Sequence, residues 1–93
     1  MKVQSPLIKD DLHKRLRRIE GQVRGVQKML DADRDCQEII QQLTAVRSAV
    51  HNARLQFLRS YARECLLQGN TLSGAEQSMM VDELMALIAK VEQ

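Results

Sequence analysis

Two cysteines, Cys36 and Cys65, are the residues of this chain best equipped for chemistry. A thiolate is a nucleophile, a disulfide partner and a soft metal ligand. The two lie 29 positions apart, and the chain from Cys36 to Gln68 contains neither Gly nor Pro. On one continuous helix they stand about 43 Å apart. A disulfide needs Cα atoms within about 7 Å, so the pair cannot close inside one chain. Pairing two copies of the segment antiparallel changes this. The point midway between the cysteines falls between Val50 and His51, and the apolar stripe from Ile39 to Tyr61 centres on Val50. The two-fold axis that overlaps the stripes also brings Cys36 level with Cys65 of the partner subunit. Two intersubunit dithiol sites per dimer are expected. Cys36, opening the helix, is the expected attacking thiol, and Cys65 of the partner subunit the resolving one. The ordinary alternative is that both are small buried apolar residues.

A second candidate surface is basic. Residues 1–30 carry eight Lys/Arg against three Asp/Glu, and residues 39–63 carry four arginines and no acid. Residues 31–38 and 64–93 are acidic, which reduces the net charge to +2. Lys14, Arg17, Gly21, Arg24 and Lys28 recur on one side of a helical wheel, and that side is nearly free of acids. Such a stripe favours an anionic partner over an ordinary solvated face. Aromatic residues are only 2% of the chain, which argues against a stacking platform for single strands. His13 and His51 lack convergent partners and read as solvated or packing residues. Met79, Met80 and Met85 read as core or interface filling. No acid–base pair or nucleophile–base constellation is present, so an enzyme is not expected.

Three helices position these residues, with no strand pattern. Ser5-Pro6 is an N-cap followed by Pro at the first helical position. Leu12, Leu16, Ile19, Val23, Val26 and Leu30 then alternate at spacings of four and three, an a/d seam. Asp35, or alternatively Asp33, caps the second helix. Ile39, Leu43, Val46, Val50, Ala53, Phe57 and Tyr61 form its stripe, widened by Ile40, Leu58 and Ala62, and Gly69-Asn70 is its stop. Ser73 and Glu76 fit a capping box for the third helix, whose stripe is Met80, Leu84, Leu87 and Val91. The 93 residues make one domain, 1–93. A 33-residue helix about 50 Å long is too long for so small a chain to cover alone, so oligomerisation is expected. No run is apolar enough to span a membrane and no secretory h-region opens the chain, which points to the cytoplasm.

The run Arg15-Leu-Arg-Arg-Ile-Glu-Gly-Gln-Val-Arg-Gly-Val26, then Asp35-Cys36, then Gln42-Leu-Thr-Ala-Val-Arg-Ser-Ala49, resembles the CsoR/RcnR family of bacterial repressors. The resemblance spans roughly residues 12–66. It implies an all-α, three-helix protomer with one long central helix. It further implies an antiparallel dimer, and a disc-shaped dimer-of-dimers tetramer that binds double-stranded operator DNA until an inducer releases it. Arg15 and Arg18 match DNA-linked basic positions of the family, and Arg47 and Arg54 continue that surface on the second helix. Copper sensors of the family resemble a Cys-His-Cys arrangement, whose His position is Tyr61 here. Nickel and cobalt sensors use an N-terminal ligand where Gln4 stands. Formaldehyde sensors use a Pro beside the initiator Met, where this chain has Lys2. Two thiols without His resemble the persulfide-sensing, CstR-like branch. That makes a persulfide or polysulfide the expected inducer, with no metal and no resident cofactor. The alternatives are a Cu(I) repressor using the same two thiolates, and a helical thiol or metal carrier that binds no DNA.

Overall fold

The structure is a computed structural model and describes residues 2–68 and 71–91. Three helices, α1 (Pro6–Asp31), α2 (Cys36–Gln68) and α3 (Gly74–Val91), account for nearly all of them. No strand occurs among the described residues.

Each helix begins where its capping residue dictates. Ser5 is extended at φ −68°, ψ 121°, and its Oγ accepts from the Ile8 N–H at 3.4 Å. Asp35 caps α2 through Oδ2, which accepts from the Gln37 N–H at 3.2 Å. Asp33, the alternative cap, ends α1 instead. Its φ is 54°, and its N–H donates to the Leu30 carbonyl while the Arg34 N–H donates to that of Met29. Those paired bonds to carbonyls of the last turn define a Schellman ending, with Asp in the left-handed position that Gly usually fills. Ser73 accepts from the Glu76 N–H at 3.2 Å, which forms the N-cap half of the capping box, and its hydroxyl donates to the Glu76 carboxylate at 3.0 Å. The expected stop at Gly69-Asn70 lies outside the described residues.

α1 packs along α2, and α3 packs on the C-terminal half of α2. The result is a plate 59 × 27 × 14 Å. Its thickness is little more than one helix diameter of about 10–12 Å. A domain normally closes its core between two layers, and this protomer has one. Its radius of gyration is 17.8 Å, against about 12 Å for a compact chain of this length. Its accessible surface is 7424 Å², against roughly 5,500 Å² for a compact 10.6 kDa monomer. The excess is of the size that stable protein interfaces bury.

The buried apolar residues are Val26, Ala53, Cys65 and Leu84, and each keeps a little exposure. The seam residues Leu16, Val23 and Leu30, expected inside, lie exposed along one flank of α1. Ile40, Leu43 and Val50 lie exposed on α2. α2 buries Val26 and partly covers Leu12 and Ile19, while Leu16, Val23 and Leu30 face outward.

Candidate functional site

The fold places the two cysteines at opposite ends of α2. Cys36 is its first residue and is exposed; Cys65 lies in its last turn and is buried. One protomer therefore does not bring them together. Among the described residues, no three His, Cys, Asp or Glu side chains converge as a metal cage.

Cys65 has a close neighbour one turn earlier. Tyr61 and Cys65, four positions apart, share a helix face. Partial burial, the negative charge available to the Cys65 sulfur and a side-chain hydrogen bond with it push the Tyr61 phenol above its ordinary value of 10.0. Glu83 of α3 and Glu64 add to the shift. Tyr61 also stacks on Phe57, with ring centroids 6.4 Å apart and planes 18° from parallel. The environment of Tyr61 is thus a thiol one turn on, a ring stack with Phe57 and the negative charge of Glu83 from α3.

The basic residues divide into groups. Lys14, Arg17, Arg24 and Lys28 are exposed along the outer ridge of α1. Arg15 and Arg18 border the groove with α2, where they line a polar hollow of about 240 Å³ with Ile19, Gln22, Ala49 and Asn52. Arg15 is also paired with Asp11 at 2.9 Å. A second hollow of about 430 Å³ continues from Asn52 to Thr44, Arg47, Ser48 and His51. Arg15, Arg18 and Arg47 thus lie along one polar surface formed by both helices. Its neutral members Gln22 and Asn52 were not legible in the charge pattern. His51 is exposed on this surface, and His13 lines a small cleft with Val3, Lys9, Leu12, Leu16 and Phe57. Arg54 is placed elsewhere: its Nη2 donates to the Lys90 carbonyl at 3.1 Å, at the end of α3.

A one-layer helical protomer with an exposed basic surface and a thiol at each end of its longest helix defines a class: small all-α regulators that work as assemblies. Comparison with known proteins makes this specific. The family model of the metal-sensitive transcriptional repressor matches residues 8–90. The chain belongs to that family, which is the CsoR/RcnR family its motifs resemble. It is 39% identical over 82 residues to the copper-sensing transcriptional repressor CsoR of Bacillus subtilis (strain 168), covering 88% of this chain and 79% of that protein. It is 35% identical over 83 residues to the copper-sensing transcriptional repressor RicR of Mycobacterium tuberculosis, covering 89% of this chain and 86% of that one. Among solved structures it is similar to the repressor CsoR with Cu(I) from Geobacillus thermodenitrificans NG80-2. The TM-score is 0.78 at 32% identity, over 100% of this chain and 95% of that one. The nickel-responsive transcriptional regulator InrS follows at TM-score 0.75 and 27% identity, over 98% of this chain and 97% of that one.

Tyr61 is the sole tyrosine and the chain has no Trp, so phenolate absorbance reports it alone. Its titration midpoint is expected above 10. The fold favours the neutral phenol, so this contribution to stability is complete below pH 10 and is lost as pH rises through the folded midpoint. Cys65→Ala removes both the sulfur charge and the hydrogen bond, and the midpoint should fall toward 10. An unchanged midpoint in this variant would detach Tyr61 from Cys65.

Proposed function

We propose that this chain is a homotetrameric operator-binding repressor, active in the cytoplasm, whose inducer site joins Cys36 to Cys65 of the partner subunit. Cu(I) is the inducer this reading favours. The observation that carries it is the placing of one thiol at each end of an α2 whose central apolar residues lie exposed. Antiparallel pairing about Val50 and His51 covers those residues and joins the thiols in one step. The assembly is a dimer of such dimers, and α3 closes over the buried thiol.

The donor chemistry suits the ion. Two thiolates are soft ligands, and soft ligands select Cu(I). Tyr61 supplies a hard phenol oxygen, so the site offers two sulfurs and no imidazole. Two relatives and one similar solved structure are copper sensors by description. Their agreement moves the favoured inducer from persulfide to Cu(I).

One feature keeps the persulfide reading in play: Tyr61 stands at the position of the copper sensors' His, so the two thiols are left without an imidazole. In that reading the Cys36 thiolate attacks the outer sulfur of a persulfide, RSSH. Cys36 becomes a persulfide and the thiol RSH leaves. Cys65 of the partner subunit then attacks the Cys36 sulfur, forming the disulfide and expelling hydrosulfide.

Lys14, Arg15, Arg17, Arg18, Arg24, Lys28 and Arg47 would supply the phosphate contacts, with the strong salt dependence that counterion release imposes. Removing both Arg15 and Arg18 by alanine substitution should weaken operator binding in gel-shift titration while the assembly stays intact. Undiminished binding would move the DNA face elsewhere. Failure of the unmodified protein to bind DNA would leave the thiol or metal carrier.

Val50→Asp tests the pairing. The substitution sets a carboxylate beside its own symmetry mate in an apolar seam, where two like charges cost several kcal/mol or force protonation. The variant should dissociate or unfold; an unchanged sedimentation coefficient would place the seam elsewhere.

The inducers separate by their dependence on each thiol. Tight Cu(I) binding and operator release should be lost equally in Cys36→Ser and Cys65→Ser, since both sulfurs are needed. Under the persulfide reading, Cys65→Ser still takes sulfur at Cys36, and Cys36→Ser is nearly inert. Intact-mass spectra after treatment with a persulfide donor distinguish these patterns. Operator release by the donor, with chain-to-chain adducts and no response to Cu(I), would replace copper by reactive sulfur.

A further inference from the structure

Arg54 continues the basic run of α2 in sequence, yet its surroundings are unlike those of the other arginines. Asn52 faces the hollow that Arg15 and Arg18 line. Two residues further along a helix is a rotation of about 200°, so Arg54 projects from nearly the opposite side of α2. There it lines an apolar cleft of about 230 Å³ with Phe57, Leu58, Tyr61, Leu87, Lys90 and Val91. The Lys90 carbonyl it meets belongs to the last turn of α3, whose carbonyls have no partner within the helix. A guanidinium is well suited to such an end, because it supplies a donor and a positive charge where the helix dipole is negative.

The contact also sets a register. Seven residues on from Arg54 along α2 stands Tyr61, and seven residues back from Lys90 along α3 stands Glu83, which acts on Tyr61. The two helices therefore run antiparallel with Arg54 opposite Lys90 and Tyr61 opposite Glu83. Continued one more turn, that register sets Met79, in the second turn of α3, level with Cys65, the buried cysteine. Leu84 is the only buried residue of α3, so its apolar hold on α2 is slight.

We propose that Arg54 is a positioning residue that latches the end of α3 onto α2 and so keeps α3 over Cys65, and that it is not a DNA contact. Only the second half of this rests on the repressor reading. The latch follows from the fold alone.

The test uses full-length protein with Arg54→Ala, Arg54→Lys and Arg18→Ala. Iodoacetamide labelling followed by peptide mass mapping gives the alkylation rate of Cys65, with Cys36 as internal reference. Arg54→Ala should raise the Cys65 rate several-fold relative to Cys36 and speed amide exchange in α3. Arg54→Lys, which keeps a cationic donor, should restore most of the protection. Affinity for a mixed-sequence DNA duplex over a salt series gives the number of phosphate contacts. Its log–log slope should be unchanged in Arg54→Ala and lower in magnitude by about one or more in Arg18→Ala. A slope lowered by Arg54→Ala overturns the proposal, as does an unaltered Cys65 rate in that variant. If the unmodified protein binds no duplex, the repressor reading fails and the alkylation rates still decide the latch.

Discussion

A long helix can bury its apolar stripe only against something as long as itself, and this protomer does not contain enough such surface. α2 has 33 residues, α1 has 26, and α3 has 18. α1 takes one flank of α2 and α3 takes part of another. The central positions Leu43 and Val50 are left uncovered in a plate one helix thick. Most of the stability of a helix in a protein comes from packing of its apolar face rather than from propensity. Assembly is therefore a condition of this fold, and each functional feature inherits it. Within one protomer the thiols stand at opposite ends of α2 and cannot meet, and Cys65 is enclosed in a protomer that otherwise buries almost nothing.

That dependence gives the proposed switch its leverage. A bond between Cys36 and Cys65 of the partner subunit ties the start of one α2 to the end of another. It fixes how the two longest helices of a dimer lie against each other. The polar surface of Arg15, Arg18 and Arg47 is built across the groove between α1 and α2, with Gln22 and Asn52 between them. A change in α2 packing is felt by that surface without any contact between inducer and DNA. A hundredfold change in DNA affinity needs a difference of only about 2.7 kcal/mol between the two states.

Much of this was legible in sequence because it is local. Ser5, Asp35 and Ser73 cap their helices through hydrogen bonds within three residues, and the caps can be read by eye. The four-and-three spacing of Leu12 to Leu30 fixed α1 as a helix with an apolar face. It did not say which part of that face α2 would take. One neighbour covers only part of so wide a stripe, and Leu16, Val23 and Leu30 fell to the open side. Asp33 was ambiguous because Asp serves both as an N-cap and, less often, in the left-handed turn that ends a helix. The contact of Arg54 with Lys90 and the influence of Glu83 on Tyr61 were not legible at all. Each spans more than 20 positions and depends on the register of α3, which no periodicity within α2 or α3 encodes. The grouping of Arg15 and Arg18 with Asn52 was hidden similarly, since it needs the crossing of two helices.

The residue at position 61 decides how narrow the inducer chemistry is. An imidazole one turn before Cys65 would offer a third donor on the same helix face. The phenol instead is favoured in its neutral form by partial burial and by the nearby sulfur and carboxylates. A neutral phenol is a poor metal ligand, so in the proposed site coordination would stop at two sulfurs. Zinc in structural sites takes four ligands, and Ni(II) favours square-planar or tetragonal sets of nitrogen and oxygen, so both would be left under-coordinated. Cu(I) is satisfied by two soft sulfurs, and a persulfide needs no further ligand at all. The replacement of imidazole by phenol thus removes the borderline metals from contention while leaving both thiol-specific inducers able to act. The two thiols also differ in their surroundings: Cys36 is exposed at the start of α2, and Cys65 is buried one turn after Tyr61. An inducer that needs both sulfurs, as proposed, would have to reach the buried one, so the latch proposed for α3 would bear on access to the site.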